Sequence, residues 1–369
     1  MQNRELHFKN GKFRIVQLAD IQERYNVSSD TLKLLNAALD RAQPDLVILT
    51  GDQIKGYSTS FKMGNTATLV EETFNRIFSP ITKRNIPFTA TFGNHDDQCG
   101  ISNSEQFEMY KKFPGFVYAD PAGTGDDGTF CLNVDGRFLI YLFDTHSKDG
   151  KGGYGALHKN QVEWYRETRD SYGKKCGRLL PSMAFQHIPT PEYFEVIKKT
   201  RPFSSGSIRA YGEHSYEWYT LDPYNSELRD FLGEPPATSV TDSGEVSAFL
   251  EQGEMRALFV GHDHNDSFTA GYRGLTLGIT QSCGFNAYGP GRRRGVRVID
   301  INENGTFSTF TLTYIELCGD ELDNKLRYGL YEIAPVSVAG FKTKAKEISL
   351  ALGVAGAAFG SAFFLKKKK

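Results

Sequence analysis

Short apolar runs and helical periodicities alternate through the first hundred residues. A strand-like run at 13–19 stops at Asp20. Ser28, Ser29 and Asp30 are helix N-cap types, after which Leu32, Leu35, Ala38 and Leu39 recur at helical spacing up to Gln43. Pro44 and Asp45 end that helix, and the apolar run 46–49 leads into Thr50-Gly51-Asp52. A helix over 67–84 and a strand over 88–92 follow, the strand ending in Gly93-Asn94-His95-Asp96. The order βαβαβ predicts a sheet joined by helical crossovers.

The middle of the chain is mixed. Runs 129–134 and 137–143 flank Asp135-Gly136, a short hairpin signal. A helix at 159–172 precedes a strand at 183–186 that ends at His187. Another strand, 256–260, ends in Gly261-His262-Asp263-His264, and 275–279, 295–301 and 307–314 read as closing strands. Residues 201–245, rich in Gly, Pro, Ser and Tyr, read as an insertion near the site. The economical division is one domain, 1–335, and a tail, 336–369.

The tail holds 348–365, eighteen uncharged residues between lysines. As a helix it would span about 27 Å, near the lower limit for a bilayer core. The expectation is a C-terminal membrane anchor; a helix docked on the body or a disordered tail is the competing reading. The flanking lysines on both sides leave the orientation open.

Composition excludes rather than assigns. Net charge is −1, but the stretch from Ser337 onward is strongly basic, which leaves a mildly acidic body. Nucleic-acid binders normally present a basic face, so no nucleic acid is expected as a partner. Five cysteines, an odd number without CxxC spacing, argue against a disulfide framework. The first residues lack the apolar core of a signal peptide, so the body is expected in the cytoplasm, tethered by the tail.

The chemistry lies at the predicted strand ends. Asp20 and Gln22, Asp52, Asn94 with His95 and Asp96, His187, and His262 with His264 each follow an apolar run. Parallel strands in such sheets deliver their carboxyl ends to one edge, where ligands bind. Carboxylate, amide oxygen and imidazole suit Mn2+, Fe or Zn2+. His262 and His264, two apart in an extended segment, point to the same side. Asp20, Gln22, Asp52, Asn94, His187, His262 and His264 are more ligands than one ion needs, so two divalent ions are expected, with Asp52 placed to bridge. Mn2+ or Fe2+ is the favoured pair of ions, with Mg2+ or Zn2+ as alternatives, and Gln22, a hard neutral donor, should shift its own site toward Mn2+, Mg2+ or Fe2+ and away from Zn2+. Two ions about 3.5–4 Å apart can hold a phosphate ester and lower the pKa of a bridging water to give a hydroxide nucleophile. His95, beside Asn94, is the candidate to protonate the leaving alkoxide. Among Arg292, Arg293, Arg294 and Arg297, Arg293 is the candidate grip for a second acidic group of the substrate, and exposed arginines on a strand are the plain alternative.

The order D-x-Q, G-D, G-N-H-D, a lone His and G-H-x-H resembles that of the calcineurin-like metallophosphoesterases, across roughly 12–315. The wording ILTGDQI, TFGNHDD, FQHIPTPEY and ALFVGHDHND is similar to bacterial relatives of the fungal and plant purple-acid-phosphatase-like branch. The resemblance implies an α/β fold of four layers, α/β/β/α, a double β-sandwich. It also implies Asp20, Asp52 and His264 at one metal with Gln22 in the fourth place, and Asp52, Asn94, His187 and His262 at the other. His95 becomes the catalytic histidine with Asp96 as its orienting partner, and Asn94 also a substrate contact. Two positions depart from the pattern. Lys55 stands where purple acid phosphatases have their iron-binding tyrosine, so the Fe(III)–tyrosinate centre is not carried over. Gln22 stands where the broader family has histidine. The expected function is hydrolysis of a phosphomonoester or phosphodiester; the alternative is a membrane-tethered binding protein with a weakened or single-metal site.

Overall fold

A computed structural model describes residues 5–119, 123–149, 153–225, 230–326 and 328–329. The predicted tail helix at 348–365 lies outside the described residues; among them, no helix is long and apolar enough to cross a membrane.

The strands in chain order are β1 (Lys12–Leu18), β2 (Leu46–Thr50), β3 (Phe88–Thr91), β4 (Phe130–Val134), β5 (Phe138–Leu142), β6 (Ser182–Phe185), β7 (Lys198–Thr200), β8 (Ile208–Arg209), β9 (Trp218–Thr220) and β10 (Phe231–Leu232). They continue as β11 (Met255–Val260), β12 (Asp266–Tyr272), β13 (Leu275–Ile279), β14 (Gly295–Asn302) and β15 (Phe307–Thr313). A five-stranded sheet runs β15-β14-β1-β2-β3, a seven-stranded sheet runs β10-β12-β13-β11-β6-β5-β4, and β7-β9-β8 form a small third sheet. The helices are α1 (Ser29–Ala42), α2 (Thr66–Thr82), α3 (Asn103–Tyr110), α4 (Lys159–Cys176), α5 (Glu245–Leu250) and α6 (Tyr314–Cys318).

Side-chain alternation explains the layers. In β5, Phe138, Ile140 and Leu142 enter the core shared with the five-stranded sheet, while Leu139 and Tyr141 enter a second core with Val162 and Tyr165 of α4 and Phe249 of α5. β11 splits the same way, Ala257 and Phe259 to the first core and Leu258 and Val260 to the second. The outer face of the five-stranded sheet is covered by Leu35 and Leu39 of α1 and Phe74 and Phe78 of α2. With both faces covered, β2 is buried at every position, as a parallel strand requires. The four-layer α/β/β/α double sandwich is the observed architecture.

Two parallel sets position the site. β1, β2 and β3 run parallel in one sheet, and β5, β6, β11 and β13 in the other. The β4–β5 hairpin turns through Asp135, Gly136 and Arg137, the first two at positive φ (53° and 63°), the hairpin site its Asp-Gly dipeptide predicts. β12, α3, α6 and the small sheet were not expected from periodicity. The start of α3 is nonetheless written in Ser102 and Glu105, which form a capping box.

Candidate metal centre

The strand ends converge, and the backbone there is unusual. Asp20, Gln22, Asp52 and His262 have positive φ, 52°, 37°, 52° and 72°. Non-glycine residues rarely hold that region, and they do so where surroundings over-determine it. Gln22 N–H donates to the Asp52 carbonyl at 2.8 Å, tying the first two loops together. His262 N–H donates to Asp20 Oδ2 at 2.9 Å, which joins the two sheets, and His95 N–H donates to Asp52 Oδ1 at 2.8 Å. Close packing also dictates two glycines. A Cβ on Gly93 would run into the Asp52 carboxylate, and one on Gly51 would sit 2.7 Å from His187 Nδ1.

The polar atoms then meet in a way that calls for cations. Asp20, Asp52 and His264 are buried with ligand atoms within 4.8 Å of one another. His264 Nδ1 lies 2.7 Å from the Tyr288 carbonyl, which can only accept, so the hydrogen sits on Nδ1. Its Nε2 faces Asp20 Oδ1 at 3.2 Å, and although burial opposes charge, the carboxylate raises the ring's pKa, so this position calls for a positive charge, a proton or a cation. His187 repeats the arrangement. Nδ1 is held by the Thr50 carbonyl at 2.8 Å, and Nε2 faces Asn94 Oδ1 at 3.1 Å, His262 Nδ1 at 3.3 Å and Asp52 Oδ2 at 3.5 Å. Asp20 Oδ1, Gln22 Oε1 and His262 Nε2 are buried without a hydrogen-bond partner, although burying such groups unpaired is costly. All seven predicted ligands are therefore brought together, and their donor set fits two divalent cations.

Electrostatics agree with that demand. Burial opposes charge on Asp52, but His187 and His95 outweigh it and hold the carboxyl below its usual range. Burial likewise opposes charge on His187, yet Asp52 and Asp20 raise it to about 9. Burial and the neighbouring His187 push His262 well below the ordinary imidazole value. The carboxylates thus draw positive charge into the space between these rings.

His95 sits at the rim, half-buried, with its Nδ1 2.9 Å from Gln98 Oε1. Tyr57 packs on its ring at 4.8 Å between centroids. Asp96, expected to orient His95, is placed otherwise. Its carboxylate accepts the N–H groups of Asp52, Gln53, Ile54 and Gly93 at 2.8–3.2 Å, so it braces the loops after β2 and β3. The expectation for the arginines is corrected too. Arg293 lies exposed over the Phe231 ring at 4.4 Å and is not among the residues lining the cavity that reaches Asp52, His262 and His264, and Arg292 pairs with Asp320. Arg294 and Arg297 are buried, one binding the carbonyls of Gly284 and Ala287, the other the Ile279 carbonyl and Thr280. Strand alternation could not show this, because the partners are supplied by the end of β13 and the loop that follows it.

Residues missed in the sequence form the supporting shell. Glu23 is buried and accepts Ser28 N–H, Thr31 Oγ1 and Asn286 Nδ2, which ties the loop after β1 to α1 and to the loop after β13. Tyr288 stacks on His264 at 4.1 Å, and Tyr154 meets His262 edge-on at 4.4 Å. A cavity of about 550 Å³ opens beside these rings, reaching Asp52, His95, His262 and His264. Segments within 201–245 form part of its wall, including Tyr211 and Pro235.

The profile of the family described as calcineurin-like phosphoesterase matches residues 13–266. Among curated relatives, a protein of Arabidopsis thaliana named probable inactive purple acid phosphatase 28 is 25% identical, over 81% of this chain and 74% of its own. Phosphatase DCR2 of Saccharomyces cerevisiae is 27% identical, over 80% of this chain and 52% of its own. Among solved structures, a dimetal phosphatase from Danio rerio superposes with a TM-score of 0.50 at 12% identity, covering 82% of this chain and 99% of that one. At that identity the likeness concerns the fold alone.

Proposed function

The chain belongs to the calcineurin-like phosphoesterase family, and from that premise we propose that it is a dinuclear-metal-dependent hydrolase of a phosphomonoester or phosphodiester. The observation that carries the reading is the convergence of imidazole nitrogens turned toward carboxylates, with orphaned buried oxygens, around Asp20 and Asp52. Asp20, Asp52, Gln22 and His264 would hold one cation, and Asp52, Asn94, His187 and His262 the other. When bound, the pair supplies Lewis acidity toward the phosphoryl oxygens and an activated water. Asn94 Oδ1 faces His187, which leaves its amide nitrogen as a donor for a substrate oxygen. His95 presents Nε2 to the departing oxygen and gives it a proton.

Metal analysis joined to hydrolysis tests the proposal. Two Mn2+ or Fe2+ per chain, with turnover of nitrophenyl phosphate or its diester, is the expected result. Two ions per chain with neither ester hydrolysed would sink it. A second reading follows from the amide at position 22, a weaker ligand than imidazole: a binding protein of the same fold with one metal. A single ion per chain, and a biological effect unchanged by His95→Ala, would favour that reading.

The amide also predicts metal choice. Gln22 Nε2 donates to Asp52 Oδ2 at 2.9 Å, which leaves Oε1, buried and unpartnered, as the ligand atom. Gln22→His should shift competition binding toward Zn2+ and away from Mn2+. Equal preference in the two proteins would count against Gln22 as a ligand.

A further inference from the structure

We infer that the cavity beside the metal ligands receives the alcohol portion of the substrate, and that this alcohol is apolar or ring-bearing and carries no second anionic group. The inference rests on the phosphoesterase reading, because it takes the phosphoryl group to lie on the Asp52, His262 and His264 side. Those residues and His95 border the same cavity of about 550 Å³, a size ordinary for small-molecule sites. An ester bound at the ligands therefore has its alcohol side in this space.

The lining selects by chemistry. Phe194, Tyr211, Pro235, Pro236, Tyr154 and Tyr288 supply apolar and aromatic surface. Phe194 is itself fixed by stacking on His214 at 4.1 Å, and His214 is held by Glu217 at 2.7 Å. Apart from the metal ligand Asp52, the carboxylates on the wall are Glu234 and Asp263, both buried. Among the described residues no lysine or arginine lines the cavity. The arginines that follow β13 are engaged elsewhere, on loop carbonyls, on Asp320 or over Phe231. A second phosphate or carboxylate on the alcohol would leave water for rings, prolines and two buried carboxylates already engaged with backbone amides, with no described lysine or arginine to meet it, which is unfavourable. An aromatic or alkyl group would instead exchange water for the rings and prolines.

Three esters with alkyl leaving groups of similar basicity separate the binding preference from intrinsic reactivity: propyl phosphate, 3-phenylpropyl phosphate and 3-carboxypropyl phosphate. The expected kcat/KM for the phenylpropyl ester is at least tenfold above the propyl ester, with the carboxypropyl ester at least tenfold below it. Tyr211→Ala and, separately, Phe194→Leu should each narrow the phenylpropyl-to-propyl ratio severalfold. A carboxypropyl ester matching or exceeding the phenylpropyl ester overturns the inference, as does an equal rate for all three. Calorimetric binding of the corresponding phosphonates to the metal-loaded protein tests the subsite without turnover. The same order of affinity with no hydrolysis of any ester would overturn the phosphoesterase reading and support the subsite. Equal phosphonate affinities would overturn the subsite whatever the rates.

Discussion

His95→Gln is expected to lower kcat for an alkyl phosphate by about 10²–10⁴-fold, the range for loss of a general acid, while leaving metal content unchanged. The two effects separate because the His95 ring is not among the converging ligands. Only its main-chain N–H touches them, through Asp52 Oδ1, and glutamine keeps that contact. The ring's orientation follows from a chain of donors and acceptors. Gln98 Nε2 donates to the Asn94 carbonyl at 3.0 Å, which can only accept, so Gln98 turns its Oε1 toward His95 Nδ1. Nδ1 then keeps one hydrogen, and the proton given to the leaving oxygen is the second one, carried on Nε2 of the imidazolium. A proton donor matters most when the leaving group is basic. The loss should therefore be large for propyl phosphate and small for nitrophenyl phosphate. Equal losses on both would assign His95 to charge stabilisation instead. Gln98→Glu supplies the positional check. Its carboxylate keeps an acceptor on His95 Nδ1, so Gln98→Glu should retain most of the propyl phosphate rate while Gln98→Leu loses it. Equal rates in the two variants would remove Gln98 from this role.

The parts of the site written in the sequence are those that depend on local pattern. An apolar run that stops at G-D or G-N-H-D announces both a buried strand and the residues at its end. Seven candidate ligands at five strand ends could be gathered that way because β1, β2 and β3 run parallel in one sheet and β6 and β11 in the other. The supporting shell could not be gathered, because its contacts depend on how loops fold back on one another rather than on strand or helix period. Glu23 binds Asn286, Arg294 binds the carbonyls of the loop that follows β13, and Tyr288 stacks on His264 across an intervening hairpin. β12 escaped for a different reason. Its sequence, DSFTAGY, has neither a long apolar run nor strict alternation, and its place between β10 and β13 makes it a strand. Asp96 illustrates the limit most sharply. Adjacency to His95 suggested a partner for the ring, whereas the fold spends the carboxylate on backbone amides.

Asp96→Ala should destabilise the protein by about 4 kcal/mol or more and lower its metal content. The carboxylate accepts four buried N–H groups, those of Asp52 at 2.9 Å, Gln53 at 2.8 Å, Ile54 at 3.2 Å and Gly93 at 2.8 Å. Each donor left unsatisfied in a buried place costs roughly 1–3 kcal/mol, so the figure takes the low end for all four. Burial and the charge on Asp52 push the Asp96 carboxyl upward, which the four amides oppose by requiring acceptors on both oxygens. Asp96→Asn keeps one acceptor and turns an amide group toward donors, so it should fall between alanine and the parent in urea unfolding. The same hydrogen bonds hold Asp52 at its positive φ, and their loss frees the residue expected to bridge two cations. Metal content should therefore drop before global unfolding, at urea concentrations where the parent keeps its ions. The competing role, orienting His95, has a different signature: unaltered stability and metal content with a shifted pH–rate profile. That outcome would reassign Asp96 from brace to partner of the catalytic ring. The four amides make the brace the expected result, and the size of the effect reflects how much backbone one carboxylate holds.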